Sequence, residues 1–237
     1  MDSPLRGSPP GESPLKPRKT TREQVYEAIK AAILEGKMEI SSRVTEATLV
    51  EWLGVSRTPI REAFGRLEQE GWIKQLPTGG YIISPVDLDE AFYIYRARAT
   101  LEGVLVRDAC RNITPEQCVN LERLTHELEK SVELRDANSL ARTGRDIHSF
   151  IADLSADGVS KRLLQLINDR VELYRSLTVQ FEQRQDEVRE EHRQIAQAML
   201  RSDPDLAQRE MQKHIERAGM SLIEVLRAGS LPDNHTG

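Results

Sequence analysis

Residues Glu46 to Ile73 read EATLVEWLGVSRTPIREAFGRLEQEGWI and show the pattern of two short, closely joined helices. A short run of helical period ends at Gly54, and Ser56 is a good cap for a second helix that follows at once. The second helix carries its apolar residues on one stripe, which comprises Ile60, Ala63, Phe64 and Leu67. Two helices joined in this way by a glycine turn predict a helix-turn-helix.

The segments on either side extend this unit. A helix is predicted from Thr21 to Gly36, because apolar residues recur at helical spacing between them. Two short strands, Trp72–Leu76 and Gly80–Ser84, are predicted downstream, with turn residues at Pro77–Gly80 between them. The order of helices followed by a two-stranded wing predicts a winged helix-turn-helix.

The exposed end of the second helix carries the chemistry that a DNA reader needs. Arg57, Thr58 and Arg61 lie near its N-terminus, away from the apolar stripe. A recognition helix presents its N-terminal residues to base edges, and arginine reads guanine O6 and N7 through two hydrogen bonds. The alternative is a solvated helix whose arginines pair with Glu62 and Glu70.

Further residues are predicted to hold the phosphate backbone. Arg66 lies one turn past the core-facing Ala63, and the wing turn offers Thr78 and the amides of Gly79 and Gly80. The candidate DNA contacts are therefore Ser56, Arg57, Thr58, Arg61, Arg66, Thr78, Gly79 and Gly80.

In the rest of the chain, the apolar residues recur only at helical spacing. From Asp87 onward we predict an all-α bundle of about six helices, near residues 87–111, 114–134, 136–155, 158–181, 185–202 and 204–228. Typical helix starts occur at Thr114-Pro115, Asp157 and Asp203-Pro204. The fold class is therefore mainly α. Its predicted parts are a disordered tail over 1–18, the winged helix over 19–86, the helical domain over 87–229 and a tail over 230–237.

The amino-acid composition favours a soluble helical protein over membrane, secreted and disulfide-rich proteins. Charged residues make up 30% and aromatic residues 5% of the chain, as in a soluble helix-rich protein. No apolar run approaches the roughly 20 residues of a membrane span and no signal peptide is recognisable, so we expect a cytoplasmic protein without a membrane partner. The two cysteines, Cys110 and Cys118, exclude a disulfide framework and a four-thiolate zinc site.

The net charge of −5 is uneven along the chain. Residues 1–86 hold 12 Lys and Arg against 11 Asp and Glu, whereas residues 87–237 hold 21 against 27. This split suggests two modules with different partners.

Three of the five histidines lie on the apolar stripes of separate predicted helices, namely His148, His192 and His214. Each stripe is expected to face the core, where an unpaired polar group costs about 1–3 kcal/mol. Convergent histidines from several helices are how bundles build metal sites, and neutral imidazole binds Zn²⁺ or Ni²⁺. The alternative is three core histidines that are satisfied separately.

Arg98 and Glu102 lie one turn apart on the first helix of the helical domain. One interpretation is an ordinary ion pair on a half-exposed face. The other is an inward arginine that holds the carboxylate of a ligand through two hydrogen bonds. Tyr95 and Tyr174 offer further hydroxyl groups. The candidate effector contacts are therefore Arg98, Glu102 and Tyr95.

The stretches Leu53–Ala63 and Arg66–Ile73 closely resemble the winged helix of GntR-type transcription regulators. The resemblance implies that the wing tip reaches the minor groove and that the operator is contacted by Arg57, Thr58 and Arg61. Two departures stand out. This chain has Ile40-Ser41 where relatives usually carry Pro-Gly, and Ala47 where some relatives have a DNA-contacting arginine.

The helical domain resembles the FadR-like branch of that family, whose C-terminal domain is called FCD. The resemblance rests on Arg98–Glu102, His148, Glu191-His192 and Lys213-His214. In many members an aspartate one helical turn before the first of these histidines joins the three histidines in binding a divalent metal. Here that position is Gly144, and Asp146 faces another way around the helix. The branch generally senses small organic acids or fatty acyl derivatives.

The predicted function is a ligand-responsive, DNA-binding transcription regulator, not an enzyme. We expect a homodimer on a palindromic operator, with a small carboxylate effector and a divalent metal such as Zn²⁺ or Ni²⁺ in the helical domain. Two alternatives are a metal-dependent hydrolase that uses the three histidines and an architectural DNA binder that senses nothing. The hydrolase needs a general base, and the candidate beside His192, Glu191, is predicted to point off the core face.

Overall fold

The computed structural model describes residues 22–178 and 182–227, so the predicted tails over 1–18 and 230–237 lie outside the described residues. Contacts between residues divide the chain into two compact units, with the boundary between Val86 and Asp87.

The first unit is a winged helix. Its elements are α1 (Arg22–Leu34), β1 (Arg43–Val44), α2 (Glu46–Leu53), α3 (Arg57–Gln69), β2 (Ile73–Gln75) and β3 (Tyr81–Ile83). The strands form one antiparallel sheet in the order β1-β3-β2, with Val44 opposite Tyr81 and Ile73 opposite Ile83. Strand β1 was not predicted, because two residues are too few to show a period.

Local chemistry explains where α2 ends and how α3 is held. Thr45 caps α2 by accepting a hydrogen bond from the Thr48 amide, and Gly54 ends the helix in a left-handed conformation at φ +67°. The predicted stripe of α3 is confirmed, because its buried residues are Ile60, Ala63, Phe64 and Leu67. The Phe64 ring also packs on Tyr81, with 4.4 Å between ring centroids, and so joins α3 to the wing.

The turn before β1 exists despite the departure at Ile40-Ser41. Ser41 has φ +65°, in the left-handed region that usually favours glycine. Its amide donates to Ile83 O at 3.0 Å, and the Ile83 amide donates to Ser42 O at 2.9 Å. These bonds to β3 hold the turn in place without a glycine.

The second unit is a bundle built around one long helix. Its elements are α4 (Leu88–Asn112), α5 (Pro115–Glu133), α6 (Ala137–Leu154), α7 (Gly158–Thr178), α8 (Glu182–Leu200) and α9 (Pro204–Arg227). The predicted helices are confirmed, with ends that differ by a few residues; the predicted end of the fourth, at residue 181, lies outside the described residues. Helix α4 packs along α9 and also contacts α6, α7 and α8. Within the described ranges, no helix is long and apolar enough to cross a membrane.

Side-chain caps set the starts of several of these helices. Thr114 and Gln117 form a reciprocal capping box at α5. Asp157 and Asp203 accept hydrogen bonds from first-turn amides of α7 and α9. These three starts agree with the caps expected from the sequence.

Two glycines let α4 and α9 approach closely. A Cβ atom at Gly219 would lie 2.8 Å from Tyr95 Cβ, and one at Gly103 would lie 2.8 Å from Gln212 Cγ. Both distances are shorter than van der Waals contact, so larger side chains would push the helices apart. The close approach places residues of α4 beside His214 of α9, around one cavity.

Candidate functional site

The N-terminal end of α3 presents an exposed polar surface. Ser56, Arg57, Thr58 and Arg61 are all exposed, while the apolar face of the helix packs on α1 and α2. Ser56 stands at the N-cap position without a side-chain capping bond, so its hydroxyl is not used for capping. The structure thus brings four of the predicted DNA contacts together on one surface.

Arg61 is held by an acidic residue of α2. Its Nε donates to both carboxylate oxygens of Glu46, at 2.9 and 3.0 Å. This hydrogen bond is the main cause that raises the pKa of Arg61 and favours the charged guanidinium. Glu62, the neighbour that the solvated-helix alternative offered as a partner, is not the residue that binds it.

The Arg66 side chain is bonded on one side to α1 and on the other to the C-terminal end of α3. Its Nη1 donates to both oxygens of Glu23 at 2.9 Å, and its Nε donates to Glu70 at 2.9 Å. Its guanidinium also stacks 3.6 Å from the centroid of the Tyr26 ring. Helix α1 packs directly on α3 and brings these partners to the arginine, and the phosphate contact of Arg66 stays a prediction.

The wing tip is an exposed glycine turn. Thr78 and Gly79 are exposed, and Gly79 and Gly80 have φ angles of +85° and +77°, which glycine adopts without strain. The Gly79 amide donates to Leu76 O at 2.9 Å within the turn, and the phosphate contacts at the wing stay a prediction. Arg43 Nη2 donates to Gly79 O at 2.7 Å, which places an unpredicted cationic side chain at the wing.

Three imidazoles from three helices meet inside the second unit. His148 comes from α6, His192 from α8 and His214 from α9. One ligand nitrogen of each ring lies within 4.8 Å of the others. His192 and His214 are buried, and the His148 side chain is 9% exposed.

The outer nitrogen of each ring faces a hydrogen-bond acceptor. His148 Nδ1 bonds to the Glu102 carboxylate. His214 Nδ1 donates to Glu191 Oε2 at 2.7 Å, and His192 Nδ1 donates to the backbone carbonyl four residues earlier at 2.8 Å. An acceptor at Nδ1 fixes the proton there, so the lone pair of each Nε2 points into the cluster.

This arrangement fits a divalent metal ion. His148 Nε2 and His214 Nε2 are 3.2 Å apart, and His192 Nε2 is buried without a hydrogen-bond partner among the described residues. Converging lone pairs need a cation or a donor from a ligand between them. Carboxylates and a backbone carbonyl on the outer nitrogens are also what orients histidine ligands in metal sites.

The imidazoles are neutral near pH 7, as metal ligands must be. Burial is the main cause that lowers the pKa of His148 to about 4, of His192 to about 3 and of His214 to about 4. Burial raises the pKa of Glu102, but Arg98 and His148 more than offset it and hold that pKa well below its usual range.

Arg98 and Glu102 form a buried ion pair and not a half-exposed one. The Nε of Arg98 lies 2.5 Å from Glu102 Oε1, and the two side chains are 4% and 5% exposed. Helices packed around α4 cover this face. Tyr95, one turn earlier, is also buried, and its ring lies 6.3 Å from that of Tyr174.

A cavity of about 90 Å³ adjoins the three histidines, and its wall includes Tyr95, Arg98, Gly144, Arg175, Arg184 and Gln185. A Cβ atom at Gly144 would lie 3.9 Å from His192 Nε2, so this position faces the cluster and has room for a side chain. Gln185 Oε1 is buried without a hydrogen-bond partner among the described residues, so it offers an acceptor to a bound molecule.

Comparison with known proteins identifies both units. Residues 93–217 match the FCD domain family, and residues 21–83 match the gntR family of bacterial regulatory proteins. The chain belongs to the GntR family. The GntR-family chain is 28% identical to the HTH-type transcriptional regulator YdhC of Bacillus subtilis. The 207 aligned residues cover 87% of this chain and 92% of YdhC. It is also 20% identical to the HTH-type transcriptional repressor RspR of Escherichia coli. There the 219 aligned residues cover 92% of this chain and 96% of RspR.

A solved structure supports the same fold. The structure of Escherichia coli McbR/YncC matches this GntR-family protein with a TM-score of 0.69 and 21% identity, over 86% of this chain and 98% of that one. The predicted winged helix, helical domain and regulatory function are therefore confirmed: the protein is a DNA-binding transcription regulator with an FCD effector-binding domain.

One predicted orientation in this GntR-family regulator is wrong. Glu191 was expected to point away from the core, but it is 3% exposed and bonds to His214, Arg184 and Arg217. Helix α8 lies between α9 and α5, so both Glu191 and its neighbour His192 are covered. The Glu191 carboxylate therefore binds the outer side of the His214 imidazole, and the expected separation of Glu191 from the histidines does not hold.

Several residues of the regulator's two sites were not predicted, namely Arg43, Glu46, Arg175, Arg184 and Gln185. A signal existed for Arg184, because it lies eight residues before His192 on the same helical stripe. No sequence signal linked Glu46 to Arg61 across the turn that separates their helices.

Proposed function

We propose that this regulator reads a two-fold operator through the exposed N-terminal end of α3 and responds to a small carboxylate beside a metal ion in the three-histidine cavity. The observation that carries the DNA part is the exposure of Arg57, Thr58 and Arg61 on one surface while the opposite face of α3 is buried. Residues at that end of a recognition helix reach base edges in the major groove.

Replacing Arg57 or Arg61 by alanine should lower the affinity for the operator by about 1–3 kcal/mol, or roughly 5- to 150-fold in Kd. Each change should also relax the base preference at one operator position, because a guanine-reading arginine contacts one base pair. The measurement is titration of the full chain on duplexes selected from a randomised pool with the unaltered protein.

Lys37→Ala is the matched control, since Lys37 is an exposed cation of the same unit that pairs with Glu35. It should leave the base preference unchanged. Normal affinity and base preference in both arginine variants would refute the assignment of α3 as the reading element.

The proposed metal is a divalent ion such as Zn²⁺ or Ni²⁺, held by the Nε2 atoms of His148, His192 and His214. The neutral nitrogen donors suit these ions better than Mg²⁺ or Ca²⁺, which prefer oxygen. Three ligands leave a coordination position open, and such a position can take a water molecule or a carboxylate. The ion would supply positive charge for an anionic ligand.

Gly144→Asp should tighten binding of Zn²⁺ or Ni²⁺, because the new carboxylate would stand next to His192 Nε2, where there is room for it. A ligand at about 100 times its Kd stabilises a folded protein by about 2.7 kcal/mol, or roughly 5–10 °C in Tm for a chain of this size. The measurement is metal content after dialysis together with thermal unfolding across a metal titration.

Gly144→Ala is the control, since it fills the same position without adding a ligand. Equal metal affinity in the two variants would show that the new carboxylate is not a ligand. No metal, no thermal shift and no gain in Gly144→Asp would contradict the proposed metal site. The histidines would then bind the effector without a metal.

The proposed effector is a small carboxylate. Arg98, Arg175 and Arg184 line the cavity and each forms an ion pair with a glutamate, so a bound metal ion would supply the net positive charge that attracts an anion. Gln185 Oε1 would accept a hydrogen bond from a hydroxyl or amide group of the ligand. Such a ligand changes operator binding only if it binds the DNA-competent and incompetent states with different affinities.

The proposed assembly is a homodimer through exposed apolar stripes on α4 and α7, helices that pack side by side. On α7, Val159, Leu163 and Leu166 recur at helical spacing and are 60%, 48% and 80% exposed. On α4, Tyr93 and Val104 lie on one stripe and are 63% and 37% exposed. Exposed apolar stripes mark interfaces, and a palindromic operator needs a two-fold protein.

A further inference from the structure

The guanidinium of Arg61 is held by a contact that crosses the helix-turn-helix. Glu46 is the first residue of α2, whose N-terminus Thr45 caps, and its carboxylate receives the Nε–H of Arg61 from α3. The Arg61 side chain is 64% exposed and the Glu46 side chain 28%. The Glu46 carboxylate therefore holds an arginine that is otherwise exposed to solvent.

The contact uses only part of the guanidinium. Among the described residues, Arg61 hydrogen-bonds through Nε alone, to both oxygens of Glu46. Reading guanine takes two N–H donors for O6 and N7, and the two terminal amino groups supply them. The Glu46 bond therefore leaves the reading end of the side chain available.

We propose that Glu46 is a positioning residue that sets the rotamer of Arg61 and so sharpens its choice of base. This rests on the proposed reading of the operator by Arg61. A free arginine loses side-chain entropy when DNA orders it, and a pre-oriented one loses less. Glu46 acts through Arg61 and does not need to contact the DNA itself.

The competing effect is repulsion. A carboxylate near the recognition surface also repels phosphates, and removal of that charge alone would strengthen binding to every duplex alike. Positioning predicts the opposite result on the selected operator, because discrimination at the Arg61 base pair depends on the orientation of the guanidinium.

The test uses the full chain and duplexes selected from a randomised pool by the unaltered protein. Glu46→Ala should weaken binding to the selected operator about three- to tenfold and relax the preference at the same base pair as Arg61→Ala. In an Arg61→Ala background, Glu46→Ala should have little further effect, because its partner is absent. Glu46→Gln keeps an acceptor oxygen for Nε and should restore most of the base preference.

Glu62→Ala is the matched control, since it removes an exposed glutamate of α3 next to Arg61 without breaking this bond. It should leave the base preference intact. Thermal unfolding of each variant checks that the unit remains folded.

Two results would overturn the positioning role of Glu46 while Arg61 keeps its reading role. They are tighter binding of Glu46→Ala to all duplexes with unchanged base preference, and an equal effect of Glu46→Ala with and without Arg61. An Arg61→Ala variant with normal base preference would instead overturn both the proposed reading and the role of Glu46.

Discussion

Replacing Glu102 by alanine is expected to lower the free energy of unfolding of the helical domain by about 3–5 kcal/mol. The carboxylate is 5% exposed and bonds to both Arg98 and His148. Its removal leaves the Arg98 guanidinium buried without its charge partner and His148 Nδ1 without its acceptor. An uncompensated buried charge costs much more than the pair itself contributes.

The measurement is the midpoint of thermal or denaturant unfolding of the full chain, where a loss of this size lowers Tm by roughly 6–20 °C. Glu127→Ala is the control, because Glu127 forms the same i,i+4 pair with Arg123 but in solvent, with side chains 49% and 56% exposed. That variant should lose no more than about 0.5 kcal/mol. Similar losses in the two variants would show that the Glu102 pair is accessible to water.

The second large effect is expected at the proposed dimer interface. The double substitution Leu163→Asp and Leu166→Asp places charges on the exposed apolar stripe of α7 and should convert the chain to a monomer at micromolar concentration. Linking two DNA-reading units raises affinity by about 10²–10⁴ without any new contact. The monomer should therefore bind a palindromic operator more weakly by a factor of that order.

Sedimentation and operator titration of the same samples test this prediction together. Val119→Asp is the control, because Val119 is an equally exposed apolar residue, at 65%, on α5 outside the two stripes. It should remain a dimer with normal operator affinity. A double variant that still sediments as a dimer would place the interface elsewhere.

Much of the fold could be predicted because its signals are local. The stripe of Ile60, Phe64 and Leu67 gave the buried face of α3, and Gly54 gave the end of α2. Capping residues such as Thr114 gave the starts of helices in the second unit. Strand β1 carried no such signal, because two residues acquire strand geometry only by pairing with β3.

For the histidine cluster, helical periodicity predicted the direction of the rings but not their hydrogen-bond partners. The stripes of His148, His192 and His214 indicated three inward rings, and in the structure they meet. Their partners could not be predicted in the same way. Glu191 was expected outside because its neighbour His192 pointed inward, yet α8 is covered on two sides and both residues are buried.

Local sequence alone was enough to predict which segments are helices, their ends to within a few residues, and which side of each is apolar. Those properties depend on residues within a few positions of one another. The pairing of polar groups depends instead on how the elements pack: Arg66 with Glu23, Arg61 with Glu46, and His214 with Glu191. The physical reason is that helical period gives a direction around one axis, whereas an ion pair depends on the distance between atoms of elements far apart in the chain.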